Sequence, residues 1–281
     1  MGNERGVRSA FGNGKLKEGA MTTRLRIFYE NLKCLSTAEQ KRECEKILDA
    51  LKAKSEPTLA TWFCDALDTM KDFNNVDQPF LDKESTARRK PIGPDSPNTG
   101  NVIWLLCEEQ KSKGGIHVSG IPEYCFQYIE REVPPMRVAN GNQPKSGAGG
   151  IDYIARCGQT PILGEIKVES DGNPFYAFVQ LLTYLSEMAT INQVKRANKY
   201  KLFGESIGES PAFDLHMMLV DFNDRGEKGG MVKSTQELAR EFKKRLQEDF
   251  PKIAGVLGRI FCLTACSKEK PLELIAKWVE E

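Results

Sequence analysis

The stretch from Gly150 to Val168 constrains the fold of this chain more than any other. It reads GIDYIARC, then GQT, then PILGEIKV: two apolar, β-prone runs bounded by Gly or Pro. Short runs of this composition between turn residues predict a strand, a turn and a second strand. Side chains alternate faces along a strand. Glu165 and Lys167 therefore project to one side and Ile166 to the other, while Asp152 sits on the preceding strand. Two carboxylates and an ammonium are predicted to meet.

The flanking segments predict alternating strands and helices. Pro122 suits the first turn of a helix through EYCFQYIEREV, ended by Pro134-Pro135, with MRVA as a short strand. NGNQPKSGAGG reads as a loop. Asp171-Gly172-Asn173-Pro174 reads as a turn and helix start, followed by one long helix through FYAFVQLLTYLSEMATINQVKRANKY. FDLHMMLVDF is a predicted strand, STQELAREFKKRLQEDF an amphipathic helix, VLGRIFCLTAC a strand and PLELIAKWVEE a closing helix. This succession predicts a mixed α/β sheet with helices on its faces.

Residues 1–20 are Gly-rich and polar and read as a disordered tail. Residues 21–100 read as a helical region and linker, and 101–281 as an α/β domain. Within the helical region, RLRIFYENLKCL has helical spacing, Ser36-Thr37-Ala38-Glu39 resembles a capping start, and Pro57 precedes a third helix in LATWFCDALDTMK. The linker carries the basic run Arg88-Arg89-Lys90. NVIWLLCEEQK is a buried strand or a short helix, which periodicity alone does not separate.

Composition narrows the function classes. With 40% hydrophobic and 28% charged residues the chain has an ordinary core, and a net charge of +1 means any nucleic-acid contact must come from a local patch. Lys195, Arg196, Lys199 and Lys201 are one candidate patch, and Arg88-Arg89-Lys90 another. No run of eighteen apolar residues predicts a membrane span, and MGNERG fits neither a secretory leader nor a myristoylation signal, so a cytoplasmic protein is expected. The eight scattered cysteines read as reduced, and Cys262 and Cys266 lack the partners of a zinc site. His117 and His216 are lone histidines, the latter on an apolar strand and read as core. Gly12-Asn13-Gly14-Lys15 followed by Leu16 fails the P-loop pattern, so no nucleotide cofactor is expected.

Paired carboxylates beside a lysine suit metal-assisted phosphodiester hydrolysis. The carboxylates hold a hard divalent cation, which activates water and neutralises phosphate charge. The lysine orients or deprotonates that water, or stabilises the transition state. The bland alternative is a solvated strand face on which Lys167 pairs with Glu165 or Glu169.

Asp152, the twelve residues Tyr153 to Gly164, and then Glu165-Ile166-Lys167 resemble the signature of the PD-(D/E)xK nuclease superfamily, with Ile151 where a proline is usual. On the following helix, Gln180-Leu-Leu-Thr-Tyr184 resembles the Q-x-x-x-Y element of its RecB-like members. Residues four apart share a helix face, so Tyr176, Gln180 and Tyr184 form one stripe. Phe175, Phe178, Val179, Leu182 and Leu185 form the opposite, core-facing one. The resemblance covers about 100 residues and is silent on 1–100. It implies a restriction-endonuclease-like core, a mixed central sheet flanked by helices, here with an N-terminal helical region added.

It also implies a Mg2+- or Mn2+-dependent deoxyribonuclease, with endonuclease favoured over exonuclease and both left open. Asp152, Glu165 and the Ile166 carbonyl would be metal ligands, and Lys167, Gln180 and Tyr184 further site residues. A Glu on the first core helix would add a ligand; of Glu123, Glu130 and Glu132, the IEREV context selects Glu130. DNA is the expected partner, and phage defence, restriction and repair are compatible roles. The alternative, from another class, is a non-catalytic nucleic-acid-binding or assembly module on the same core, using the N-terminal helices to dimerise or bind a partner protein.

Overall fold

The structure is a computed structural model that describes residues 23–81, 91–96, 98–136, 150–168, 173–222, 227–269 and 271–281, without the side chains of 227–229. The expected tail (1–20), residues 140–149 of the Gly-rich loop, the basic run Arg88-Arg89-Lys90 and Glu169 lie outside these residues.

Three capped helices come first. In α1 (Arg24–Leu32), Thr23 Oγ1 accepts from the Arg26 N–H at 3.2 Å. In α2 (Thr37–Ala53) the expected capping start is present: the Ser36 N–H donates to Glu39 Oε2 at 2.8 Å and the Glu39 N–H to Ser36 Oγ at 3.4 Å. Thr58 and Thr61 make the same reciprocal arrangement for α3 (Leu59–Met70). The ambiguous NVIWLLCEEQK is helical, within α4 (Thr99–Lys113), and buries Val102, Ile103, Leu105, Leu106 and Glu109 at helical spacing.

The rest of the chain builds a seven-stranded mixed sheet. Its elements are β1 (Ile116–Ser119), β2 (Cys125–Val133), β3 (Ile151–Cys157), β4 (Thr160–Val168), α5 (Pro174–Met188), α6 (Ile191–Lys199), β5 (Phe213–Val220), α7 (Glu227–Asp249), α8 (Pro251–Ala254), β6 (Leu257–Ala265) and β7 (Leu274–Glu280). β2, β3 and β4 are antiparallel neighbours, β4, β5 and β6 run parallel, and β7 returns antiparallel to β6. The short β1 pairs antiparallel with β2 and parallel with β7, closing the strands into a ring.

Each face of the sheet has its own apolar core. On one side Leu163, Leu215, Met217, Leu219, Ile260 and Cys262 pack with α1, α2, α3, α5 and α7; on the other Tyr153, Ile166, Met218, Phe261 and Leu263 pack with α4, β1 and Phe126. The N-terminal helices thus share the first core with the helix that follows the Glu-x-Lys strand.

Three expected elements differ. EYCFQYIEREV is not a helix: Glu123, at φ 64°, ends a turn that leads into β2. Phe126 and Tyr128 alternate along it, and its backbone hydrogen bonds go to β1 and β3. PLELIAKWVEE is not a helix either; β7 alternates the buried Leu274 and Trp278 with the exposed Ile275 and Lys277 and takes its partners from β6. The long helix after Pro174 is two helices, because Thr190 is extended (ψ 152°) and caps α6 through the Gln193 N–H. In the segment read as the strand MRVA, Met136 is a turn residue and 137–139 lie outside the described residues.

The second core contains one closed polar group. His216 is fully buried and both ring nitrogens meet phenols, Nε2 with Tyr124 Oη at 2.8 Å and Nδ1 with Tyr153 Oη at 3.0 Å. Arg259 donates to Asp214 Oδ2 at 2.9 Å beside them. Burial, then the nearby Arg259, pushes the imidazole pKa from 6.5 down to about 3. The unfolded chain therefore binds a proton that the native state refuses as pH falls below 6.5. Stability from this residue is present above that pH and lost on acidification, at about 1.4 kcal/mol per pH unit. Urea unfolding at pH 7 and pH 4 should show a loss of about 3 kcal/mol from this source. His216→Gln, which does not titrate, should flatten the difference.

Candidate functional site

The ladder between β3 and β4 stops at the pair Tyr153 and Gly164. A Cβ on Gly164 would lie 2.1 Å from the Tyr153 ring, so glycine is required for the ring to lie across β4. Gly164→Ala is expected to destabilise the fold by about 1–3 kcal/mol, read from the midpoint of urea unfolding. Beyond that pair the strands part, and the Asp152 carboxylate spans the opening by accepting the Ile166 N–H at 2.9 Å. In an extended strand the N–H and C=O of one residue point to the same edge. The Ile166 carbonyl therefore faces the Asp152 edge as well.

Glu165 and Lys167 project onto the sheet face covered by α5. Lys167 Nζ donates to Glu165 Oε1 at 2.6 Å and to Gln180 Oε1 at 2.9 Å, and Gln180 Nε2 donates to Tyr184 Oη at 3.2 Å. Tyr184 Oη in turn donates to the Gly150 carbonyl at 3.4 Å. Lys167 Nζ also lies 4.7 Å from the centre of the Tyr176 ring. Asp152, Glu165, Lys167, Gln180 and Tyr184, proposed from sequence, are therefore brought into one connected group. The solvated-face reading of this strand does not hold, because Glu165 is 1% and Lys167 8% exposed.

α5 itself departs from the two-stripe reading. All of its residues except Tyr176 are buried, since the sheet lies on one side and α1, α3 and α7 on the others. Gln180 and Tyr184 are consequently interior residues. Asn173 caps this helix, accepting the Tyr176 N–H at 2.9 Å, and its amide is held by Gln40 of α2.

The electrostatics follow from burial. The Asp152 carboxyl is raised by burial, against the pull of the Lys167 ammonium and the Ile166 N–H. Glu165 is raised well above the carboxylate range, first by burial and then by the Asp152 charge, with Lys167 opposing. Burial alone would depress Lys167, but Glu165 and Asp152 outweigh it and the ammonium is favoured. Glu165 Oε2 is buried without a hydrogen-bond partner. A buried carboxylate oxygen that lacks a donor, on a side chain whose carboxyl also meets that of Asp152, fits a cation. Among the described residues no group of three or more His, Cys, Asp and Glu side chains converges, so the protein would supply two carboxylates. That number is sufficient for octahedral Mg2+, which keeps several waters.

The helix-borne glutamate is not found, because its segment is β2. Glu130 accepts the Arg131 N–H at 2.9 Å and lines a separate cleft with Phe80, Tyr200 and Leu202. Glu132 is the residue opposite Asp152 in the register, and its charge is the one felt there. Glu123 lies beyond the other end of β2, about 25 Å away along the strand.

The basic patch is also rearranged. Arg196 is fully buried, and Lys199 pairs with Asp77 at 2.5 Å. Lys195 and Lys201 remain exposed.

Sequence reasoning predicted α1 as a helix but missed its contact with the candidate site. Tyr29 stacks on Tyr176 with ring centres 5.5 Å apart, and Arg26 pairs with the buried Glu187 of α5 at 3.0 Å. Burial raises Glu187 to about 7 against that pairing. The spacing of Arg26, Tyr29, Glu30 and Lys33 along one helix stripe was the available signal, but it does not say which helix the stripe meets.

No protein-family model, no curated protein and no solved structure matches this chain.

Proposed function

We propose that this chain is a metal-dependent nuclease that hydrolyses DNA phosphodiester bonds, built on a core of the PD-(D/E)xK type. The observation that carries this reading is the group of the half-buried Asp152 with the buried Glu165 and Lys167, in which one Glu165 oxygen has no donor. Nothing in the packing of a sheet face demands two carboxylates and an ammonium, and burying them is costly.

Asp152, Glu165 and the Ile166 carbonyl would hold Mg2+ or Mn2+. The cation supplies charge neutralisation at the phosphate and a more acidic water. Lys167, held as an ammonium by its two carboxylate neighbours, orients the attacking water and offsets charge on the phosphoryl oxygens rather than acting as a free base. Gln180 fixes the ammonium through its carbonyl oxygen, and Tyr184 fixes Gln180. Lys195 and Lys201 are exposed charges for phosphate contact, and restriction, phage defence and repair suit such an activity.

The test is cleavage of supercoiled plasmid, linear duplex and single-stranded DNA with Mg2+ or Mn2+. Cutting that stops in EDTA and returns with added metal is expected, and nicking of the closed circle would mark an endonuclease. No cutting of any substrate, together with no Mn2+ binding in calorimetry, would refute the enzyme and favour a non-catalytic module.

A further inference from the structure

We propose that Tyr29 of α1 is a positioning residue for Lys167, so that the N-terminal helix is a component of the site. The proposal rests on the reading of Lys167 as a working residue of that site. Among the described residues Lys167 Nζ meets Glu165 Oε1 at 2.6 Å, Gln180 Oε1 at 2.9 Å and the Tyr176 ring at 4.7 Å. The first two are carried by the sheet and by the middle of α5 and are buried. The third is different. Tyr176 stands in the first turn of α5 and is the one residue of that helix that is not buried. A part-exposed aromatic side chain has more than one rotamer open to it, so its place over the ammonium needs a support.

Tyr29 is that support. Its ring is 2% exposed and stacks on Tyr176 at 5.5 Å and 23°, and the Tyr176 hydroxyl donates to the Tyr29 hydroxyl at 3.4 Å. Tyr29 also meets the ring of Tyr184, the residue that holds Gln180, with centres 6.4 Å apart. α1 is itself fixed, with Leu25, Phe28 and Leu32 buried, Phe28 packed on Trp62 and Phe175, and Arg26 paired with Glu187. A cation held against a ring face gains electrostatic attraction only while the ring stays in place. Tyr29 therefore acts on Lys167 through Tyr176, by packing more than by its hydroxyl.

The test uses the full chain with 13C-labelled lysine, comparing wild type, Tyr29→Phe and Tyr29→Leu, with the Lys167 signal assigned by its loss in Lys167→Arg. In wild type the Lys167 ε-methylene should resonate upfield of the other lysines because of the Tyr176 ring current. Tyr29→Phe should keep that shift and Tyr29→Leu should lose it. In cleavage, Tyr29→Leu should lower kcat by about 10²-fold with KM little changed, and Tyr29→Phe should restore it. Should the Leu variant not fold, Tyr29→Met gives the same contrast. An unchanged Lys167 signal in the Leu or Met variant overturns the proposal, whether or not the protein cuts DNA. A signal that moves in a protein whose wild type cuts nothing and binds no Mn2+ would retain the placement of Lys167 by Tyr29 and refute the nuclease reading.

Discussion

Lys167→Met is expected to lower DNA cleavage by about 10²–10⁴-fold while leaving the fold intact. Among the described residues the Lys167 ammonium is the charge that opposes the raised titration of both Glu165 and Asp152. Methionine keeps most of the apolar stem and removes the donors to Glu165 and Gln180. Burial raises both carboxyls and the ammonium opposes it, so losing the ammonium raises them further and makes protonation the easier response to the missing charge. The stability cost should therefore be about 1–3 kcal/mol, that of unsatisfied polar groups. Mn2+ affinity of the variant should change little or rise, because a cation competing for the same carboxylates has gone. Cleavage assays beside thermal melts and Mn2+ calorimetry separate these effects. A Lys167→Met protein that cuts as fast as wild type would remove Lys167 from the site.

The parts of the fold legible in the sequence are those in which local chemistry and tertiary demand agree. Asp152 and Glu165-x-Lys167 lie on strands whose turn at Gly158 is set by a positive φ of 59° that glycine adopts freely. The Ser36–Glu39 capping box is likewise a local event. The errors fall where a segment could satisfy its backbone in two ways. EYCFQYIEREV and LIAKWVEE both mix charged with apolar residues in a manner that a helix tolerates, and only pairing with β3 and with β6 decides for strands. That pairing depends on residues outside each segment, which no local period reports. The error at β2 then removed the expected helix-borne ligand, so one wrong element carried through to Glu130. The site itself was legible because its five side chains lie on three adjacent elements with fixed periods. The contribution of α1 was not, since Tyr29 reaches Tyr176 from 147 positions earlier.

Arg196 shows how a residue can look like a phosphate ligand in sequence and be a structural tie in space. It sits in a basic run, yet its guanidinium donates to the carbonyls of Gln78 at 2.6 Å, Pro135 at 2.9 Å and Pro79 at 3.0 Å, and to Gln193 Oε1 at 3.1 Å. Its carbon lies 3.8 Å from the centre of the Phe80 ring. Two of these carbonyls belong to prolines, which have no N–H, and they lie in two chain segments that have no regular structure of their own. The planar fork of arginine reaches all of them at once, which the single ammonium of lysine does not. Arg196→Met keeps much of the apolar stem but removes the donors to these buried and part-buried acceptors, and is expected to cost about 3 kcal/mol or more. Arg196→Lys should recover only part of it. Urea unfolding measures the loss, and DNA affinity extrapolated to full folding should be unchanged, with the same salt slope. A shallower salt slope with unchanged stability would return Arg196 to the phosphate surface and contradict its burial.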